Sequence, residues 1–305
     1  MTDPANELSI FDRALLRQRR ARSVAGWPAH NFLKRHVAEG LSERLEDIRR
    51  PFPRLLDLGS HGGEVAAALA GRAGAELTVS ADLTPRFLGP LSGLRVVADE
   101  ETMPFGPNSF DLIASALGLH AVNDLPGALL QIRQALKPDG LFMGALFGGE
   151  TLTELRQALL QAESEIEGGA SPHVAPFADL RDAAGLLQRA GFALPVADIE
   201  RLNVSYADAF ALMRELRGMG ESNILQARRR RPMRRATLPR AAEIYRQRFT
   251  GPDGRITASF QIVYLHGWAA HESQQKPLKP GSAKQRLAQA LDSDERPAGE
   301  KATPR

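Results

Sequence analysis

The sequence predicts an α/β fold built on a mostly parallel sheet with helices on both faces. Three observations carry this reading. Short apolar runs alternate with helix-like stretches through the first half of the chain. The first run ends in a glycine-rich turn, Leu55-Leu56-Asp57-Leu58-Gly59-Ser60-His61-Gly62-Gly63, followed at once by the helix formers Glu64-Val65-Ala66-Ala67-Ala68-Leu69-Ala70. The next two runs end, like the first, in carboxylates, Asp82 and Asp99. Apolar strands alternating with helices pack best as a parallel sheet covered on both sides.

Taken in order, residues 1–50 form an N-terminal helical extension. Phe11, Leu15 and Leu16 are interleaved with Arg17, Arg19, Arg20 and Arg22, and a second helical pattern runs from Phe32 to Ile48 before Pro51 and Pro53 stop it. Strands are expected at Arg54–Leu58, Glu76–Ala81, Leu94–Ala98, Phe110–Ser115 and Leu141–Phe147, with helices at Glu64–Arg72 and Leu125–Leu136. The rhythm then changes. Thr151–Glu167 reads as a long helix broken by Gly168-Gly169, and Ala178–Ala190 as another, ended by Gly191. Val196–Val204 reads as a strand, and Tyr206–Leu216 and Leu238–Phe249 as helices of an insertion (about 205–250) that forms a lid over the ligand cleft. Ile256–His266, rich in β-branched and aromatic residues, is the last strand. The main domain closes near residue 270, and 271–305 reads as a flexible tail rich in Gln, Lys, Pro and Ser.

Composition narrows the classes. The 305 residues, 43% hydrophobic and 25% charged, suffice for one full-sized core. Cysteine is absent, which removes disulfides, thiolate nucleophiles and Cys-bound zinc together. No apolar run approaches the roughly 20 residues of a membrane span. The N-terminal arginines are mixed with Asp3, Glu7 and Asp12, unlike a transit peptide. A cytoplasmic protein without a transmembrane segment is expected. Net charge is only +3, so the basic run Arg228-Arg229-Arg230-Arg231-Pro232-Met233-Arg234-Arg235 is a local feature. It reads first as a solvated surface and second as a contact for an acidic protein. Without interleaved aromatics, specific nucleic-acid binding is not expected.

The glycine turn narrows the ligand. Gly59, Gly62 and Gly63 do not match the G-x-G-x-x-G dinucleotide spacing. Asp57, Gly59 and Gly63 do fall on the D-x-G-x-G-x-G turn of enzymes that bind S-adenosylmethionine, with His61 in place of the middle glycine. A carboxylate at Asp82 can accept from both ribose hydroxyls, and one at Asp99 from an adenine amino group. Alternatively, Asp82 caps Thr84-Pro85. Cofactor-binding candidates are therefore Asp57, Gly59, Ser60, Gly63, Asp82, Leu83, Asp99 and Glu100.

Met103-Pro104-Phe105 through Ser109-Phe110-Asp111 and Leu136-Lys137-Pro138-Asp139-Gly140 resemble the "LPF…SFD" and "LKPGG" motifs of class I S-adenosylmethionine-dependent methyltransferases. A closer resemblance covers nearly the whole chain. Ile10-Phe11-Asp12-Arg13, Leu119-His120-Ala121-Val122-Asn123-Asp124, Phe147-Gly148-Gly149-Glu150-Thr151, Glu167-Gly168-Gly169-Ala170-Ser171-Pro172-His173, Gly218-Met219-Gly220-Glu221-Ser222-Asn223 and Gly267-Trp268-Ala269-Ala270-His271-Glu272-Ser273 resemble the methyltransferase-like assembly-factor family of respiratory complex I. That resemblance implies a Rossmann-like, seven-stranded sheet whose last strand is antiparallel, with S-adenosylmethionine as cofactor and a bacterial member in this chain. It also implies modification of a complex I subunit by arginine hydroxylation. The sister family implies the alternative of carboxyl O-methylation on a small molecule or an acidic acyl carrier protein. A cofactor-bound chaperone without catalysis is the third reading. His61 and Ala121 depart from the usual Gly and Trp.

Candidates for the chemistry are His120, as a general base, and Glu150, to orient a cationic side chain. Asn123, His173, Glu221 and Asn223 are candidates for the substrate side. Helix capping is the competing role for Asn123 or Asp124. An iron site from His120, His173 and an acid has no supporting local spacing, so no metal is expected.

Overall fold

The first four elements already place the cations that matter later. In the computed structural model, which describes residues 9–177 and 180–274, α1 (Arg13–Ser23) starts where Asp12 accepts from the Leu15 amide at 2.9 Å. A single 3₁₀ turn leads into α2 (Trp27–His30) and α3 (Phe32–Leu45). Five parallel strands follow: β1 (Arg54–Leu58), β2 (Leu77–Asp82), β3 (Leu94–Val97), β4 (Phe110–Ala116) and β5 (Leu136–Phe147). Between them lie α4 (Glu64–Leu69), α5 (Pro85–Leu88) and α6 (Leu125–Ala135), and beyond β5 come α7 (Thr153–Glu167) and α8 (Leu180–Arg189). After β6 (Phe192–Tyr206) the chain forms α9 (Ala209–Gly218) and α10 (Thr237–Phe249) before closing with β7 (Ile256–Ala269).

The sheet order is β3-β2-β1-β4-β5-β7-β6, with β7 antiparallel to both neighbours. This is the seven-stranded, mostly parallel sheet expected from the sequence. One face packs on α3, α4, α7, α9 and α10 through residues such as Leu41, Leu69, Leu159, Leu212 and Tyr245, all buried. The other face packs on α6 and α8 through Leu129, Ile132 and Leu187. The strand order reverses between β1 and β4, and in open α/β sheets ligands bind at that switch point, outside the carboxyl ends of the strands.

Several boundaries differ from expectation. β5 begins at Leu136 and not at Leu141 because Leu136 already pairs with Phe110 of β4; the register then shifts so that Leu141 meets Leu112, and Asp139 between them has a φ of 61°. β6 extends over residues 192–206 because β7 supplies a ladder partner for almost its whole length. The first eight residues of the N-terminal extension, positions 178–179 of the helix expected at Ala178–Ala190 and the tail from 275 lie outside the described residues.

Two features show how tightly the α3 side is packed. Gly40 sits inside α3, where glycine is costly, because a Cβ there would collide with the Tyr264 hydroxyl. Arg44 lies 3.5 Å over the Tyr264 ring. On the same strand, burial and then the Arg44 cation push the His266 imidazole down to about 4. His266 is thus neutral in the fold while the unfolded chain titrates near the ordinary 6.5. Between those values the unfolded state binds more protons, so stability is full above 6.5 and falls with the pH, by about 3 kcal/mol from this group. His266→Phe is expected to flatten the pH dependence of the urea midpoint in that window, and an unchanged slope would assign it elsewhere.

Candidate functional site

The turn after β1 is built from backbone conformations and buried carboxylates. Gly59 and Gly63 have φ of 69° and 81°, in the left-handed region that glycine enters without strain, and Gly63 caps α4. Asp57 is fully buried and accepts from the Ala66 amide at 3.1 Å, tying strand to helix. Burial, opposed by Lys34, pushes its carboxyl up to about 7. Asp82 accepts from the His61 amide at 3.0 Å and the Thr84 amide at 2.9 Å. Leu83, buried beside Phe11 and Ala121, completes the end of β2. Beyond β3, Asp99 and Glu100 both pair with Arg13, and Glu100 also binds Arg20 at 2.7 Å. All eight cofactor candidates therefore gather at the carboxyl edge of β1, β2 and β3.

An imidazole at position 61, where the resemblance places a glycine, would crowd the methionine end of the cofactor or demand a shifted turn. His61 adopts a φ of 46° and turns its ring under the N-terminal helices, stacking on Trp27 with centroids 5.0 Å apart. Its Nδ1 lies 2.9 Å from the Gly59 carbonyl and 3.1 Å from Lys34 Nζ. Burial, then Lys34 and Arg20, hold the imidazole well below its ordinary range, so the ring is neutral.

The sequence reading missed these N-terminal cations. Lys34, 3% exposed, donates to the Gly59 carbonyl at 2.6 Å and to the Ala116 carbonyl. Arg20, 1% exposed, lies against Glu100, and Trp27 donates to Glu64 at 2.6 Å. Part of the signal was present in the alternation of basic and apolar residues along α1, where Arg13 and Arg20 stand two turns apart on the inward face while Arg17 between them is exposed.

An adenosyl cofactor at this edge would meet matching chemistry but too little space. The chemistry matches: paired acids, a glycine turn, and buried Ser60 Oγ, Ser115 Oγ and Asp57 Oδ1 with no hydrogen-bond partner among the described residues. The space does not. The cavity touching the turn, lined by Trp27, Lys34, His61 and Leu117, holds about 20 Å³, whereas ligand pockets occupy roughly 300–1,000 Å³. Trp27 and Lys34 wall the space that remains at the turn, and Arg20 lies buried against Glu100.

A larger cavity of about 360 Å³ lies beside it, between the ends of β4 and β5, α7 and the insertion. Phe147, Phe177, Leu155, Met213 and Ile224 make it mostly apolar. His120 and Glu221 meet in its wall, Nε2 to Oε2 3.2 Å, with the His120 side chain 4% exposed. The His120 ring packs against Phe147 at 4.6 Å and Phe177 at 5.8 Å. Burial pushes the Glu221 carboxyl up, but His120, Arg20 and Lys34 outweigh it and hold it below the usual range. With Nε2 turned to Glu221, His120 Nδ1 is buried without a hydrogen-bond partner among the described residues. Ala121, in place of the bulkier Trp, lines the same cavity.

The other candidates divide. Asn223 and His173 line the cavity, yet both also brace loops: Asn223 Nδ2 donates to the Pro172 carbonyl at 2.8 Å, and His173 lies 3.0 Å from Glu163. Asn123 is not in the cavity wall; it accepts from the Phe11 amide at 2.7 Å and fastens the N-terminus to the β4 loop. Asp124 caps α6. Glu150 is not brought to His120: Arg201 on β6 draws it outward at 2.9 Å, its side chain 60% exposed. The basic run is not simply a solvated face either. Arg228 pairs with Asp12 at 3.0 Å and Arg229 with Glu167 at 3.0 Å, pinning the insertion to α7 and the N-terminus. Among the described residues no cluster of three His, Asp or Glu is placed to hold a metal ion, and no helix is long and apolar enough to cross a membrane.

The strand order and the acid-lined edge define the class I methyltransferase fold, and a family described as "Methyltransferase domain" matches residues 56–144. The YcgJ protein from Bacillus subtilis shares the fold at a TM-score of 0.52, with 15% identity over 77% of this chain and 99% of that one. Two kinds of relative are much nearer in sequence. The malonyl-[acyl-carrier protein] O-methyltransferase of Gallionella capsiferriformans is 32% identical over 85% of this chain and 91% of its own. The mitochondrial arginine-hydroxylase NDUFAF5 of Danio rerio is 41% identical over 90% of this chain and 88% of its own. The chain belongs to the arginine-hydroxylase NDUFAF5 family.

Proposed function

We propose that this chain modifies an arginine side chain of a protein, by hydroxylation, in the assembly of respiratory complex I. The observation that carries the reading is the pairing of Glu221 with His120 in the wall of an aromatic-lined cavity. A guanidinium is a planar, delocalised cation that is held best by a carboxylate and an aromatic face together. Glu221 would receive it, and Phe147 and Phe177 would flank it. His120 would accept a hydrogen bond through Nδ1 and fix its orientation. Positioning of this kind accounts for a large part of many rate enhancements. Replacing C–H by C–OH is a two-electron oxidation, which balances with dioxygen and an external two-electron reductant: one oxygen atom enters the C–H bond and the other leaves as water. The Danio rerio relative bears the name arginine-hydroxylase, which supports the same reaction class here.

Carboxyl O-methylation is disfavoured by the same geometry. A malonyl-type carboxylate in this cavity would face the like charge of Glu221, and such a contact discriminates against a ligand as effectively as a clash.

S-adenosylmethionine is the cofactor we assign to the Asp57–Glu100 edge, with Asp82 and Asp99 toward its sugar and base; it supplies an electrophilic methyl-bearing sulfonium when bound. Trp27 and Lys34, which line the small cavity at the turn, would have to shift to admit it. Asp99→Ala is expected to weaken cofactor binding at least about tenfold by calorimetry, and unchanged affinity would remove the cofactor from this edge. A cytoplasmic location accompanies the assembly role. Deleting the gene is expected to abolish complex I activity, with rescue by the wild-type chain and not by Glu221→Gln; full rescue by the variant would favour a chaperone without catalysis.

A further inference from the structure

The cavity opens beside a groove of about 550 Å³ lined by Arg19, Arg22, Arg214 and Arg217 on α1 and α9. Arg19, Arg217 and Ser222 line both spaces, so the groove leads into the cavity mouth. Four guanidinium groups on two facing helices repel one another unless something neutralises them. Arg19 shows the strain: burial, and then the cations of Arg228, Arg22 and Arg217, pull its guanidinium below the ordinary value. The neighbouring acids are already engaged. Glu215 lies 2.9 Å from His30, and Asp12 is paired with Arg228. Among the described residues the side chains of Arg22, Arg214 and Arg217 have no ion-pair or hydrogen-bond partner, and all three residues are exposed. Unlike Arg228 and Arg229, which pair with acids of the fold, these side chains make no ion pair among the described residues.

We propose that this groove is a docking site for an acidic segment of the protein that is modified, lying next to the residue that enters the cavity. The proposal rests on the reading of the cavity as the acceptor site. Charge complementarity selects an extended acidic stretch: the arginines come from two helices and span a groove, so several carboxylates in sequence can each meet one. The arrangement also solves a problem of the acceptor. A cationic arginine approaching four cations is repelled unless its flanks carry compensating negative charge. Acidic flanks would steer the segment in and set its register, and Glu221 would then receive the arginine inside.

The test is fluorescence anisotropy on the full chain with a short labelled peptide that carries one arginine flanked by glutamates. Comparison peptides carry glutamine flanks, or alanine in place of the arginine. The acidic peptide should bind with strong salt dependence, and Arg214→Glu/Arg217→Glu should weaken it about tenfold or more and flatten that dependence. Both positions are exposed, so the melting temperature of the variant should match the wild type. If the alanine peptide binds as well as the arginine peptide and keeps its dependence on Arg214 and Arg217, the groove stands and the arginine reading of the cavity fails. Equal affinity for acidic and glutamine-flanked peptides would overturn the proposal. So would an unaffected double variant, or tighter binding of a single-stranded oligonucleotide than of the acidic peptide.

Discussion

Replacing Arg20 with methionine is expected to cost about 3–5 kcal/mol of stability, because it leaves the fully buried Glu100 carboxylate without the more deeply buried of its two cations. Burial raises the Glu100 carboxyl, but Arg20 and Arg13 overcome it and hold it down to about 2. The sign follows from that direction. The ordinary value is 4.5, so the contribution is fully present above 4.5 and is lost as the pH falls toward 2. In Arg20→Met the carboxyl should rise instead, and the deficit should shrink as the pH is lowered and Glu100 takes up a proton. Guanidinium midpoints measured across pH would read both effects. Arg20→Met combined with Glu100→Gln should recover part of the loss, since removing both charges is cheaper than stranding one. A single variant as stable as the wild type would mean that Arg13 alone neutralises Glu100, and that α1 is not bolted to the strand edge through Arg20.

The second large effect is on activity. Glu221→Gln keeps the size of the side chain and a hydrogen bond to His120 while removing the charge that would hold a guanidinium. It is expected to lower the modification of an arginine substrate by about a hundredfold or more in kcat/KM, with most of the loss in KM. His120→Asn should act mainly on kcat, because the ring orients the bound group and does not carry the charge that captures it. A Glu221→Gln enzyme with unchanged KM would place the acceptor elsewhere.

Much of the sheet could be read from local pattern. Apolar runs bounded by turns give strands, and carboxylates at the ends of consecutive parallel strands must share an edge whatever the rest of the chain does; Asp57, Asp82 and Asp99 meet for that reason. The partners of those acids could not be read the same way. Arg20 and Lys34 lie far from Glu100 and Gly59 in sequence, and only the packing of α1 and α3 against the sheet brings them there. His61 followed the same logic: its left-handed backbone is tolerable because Trp27, from another helix, covers the ring. Glu150 and Glu221 make the contrast sharpest. Both sit in distinctive motifs, but Arg201 on the neighbouring strand draws Glu150 outward, while the turn after α9 places Glu221 beside His120. Sequence spacing alone could not rank those two acids. The cation pattern of the insertion was likewise legible as charge but not as function. Arg228 and Arg229 are spent on Asp12, Glu163 and Glu167, while the less conspicuous Arg214 and Arg217 line a groove without an ion pair among the described residues.

The account turns on what is added to the acceptor. Intact-mass and peptide-mapping analysis of complex I subunits from wild-type and deletion cells measures it directly. The expected result is one arginine-containing peptide heavier by a single oxygen in the wild type, lost on deletion and lost again with Glu221→Gln. A methyl group in place of the oxygen, or subunits of identical mass in all three strains, would contradict it.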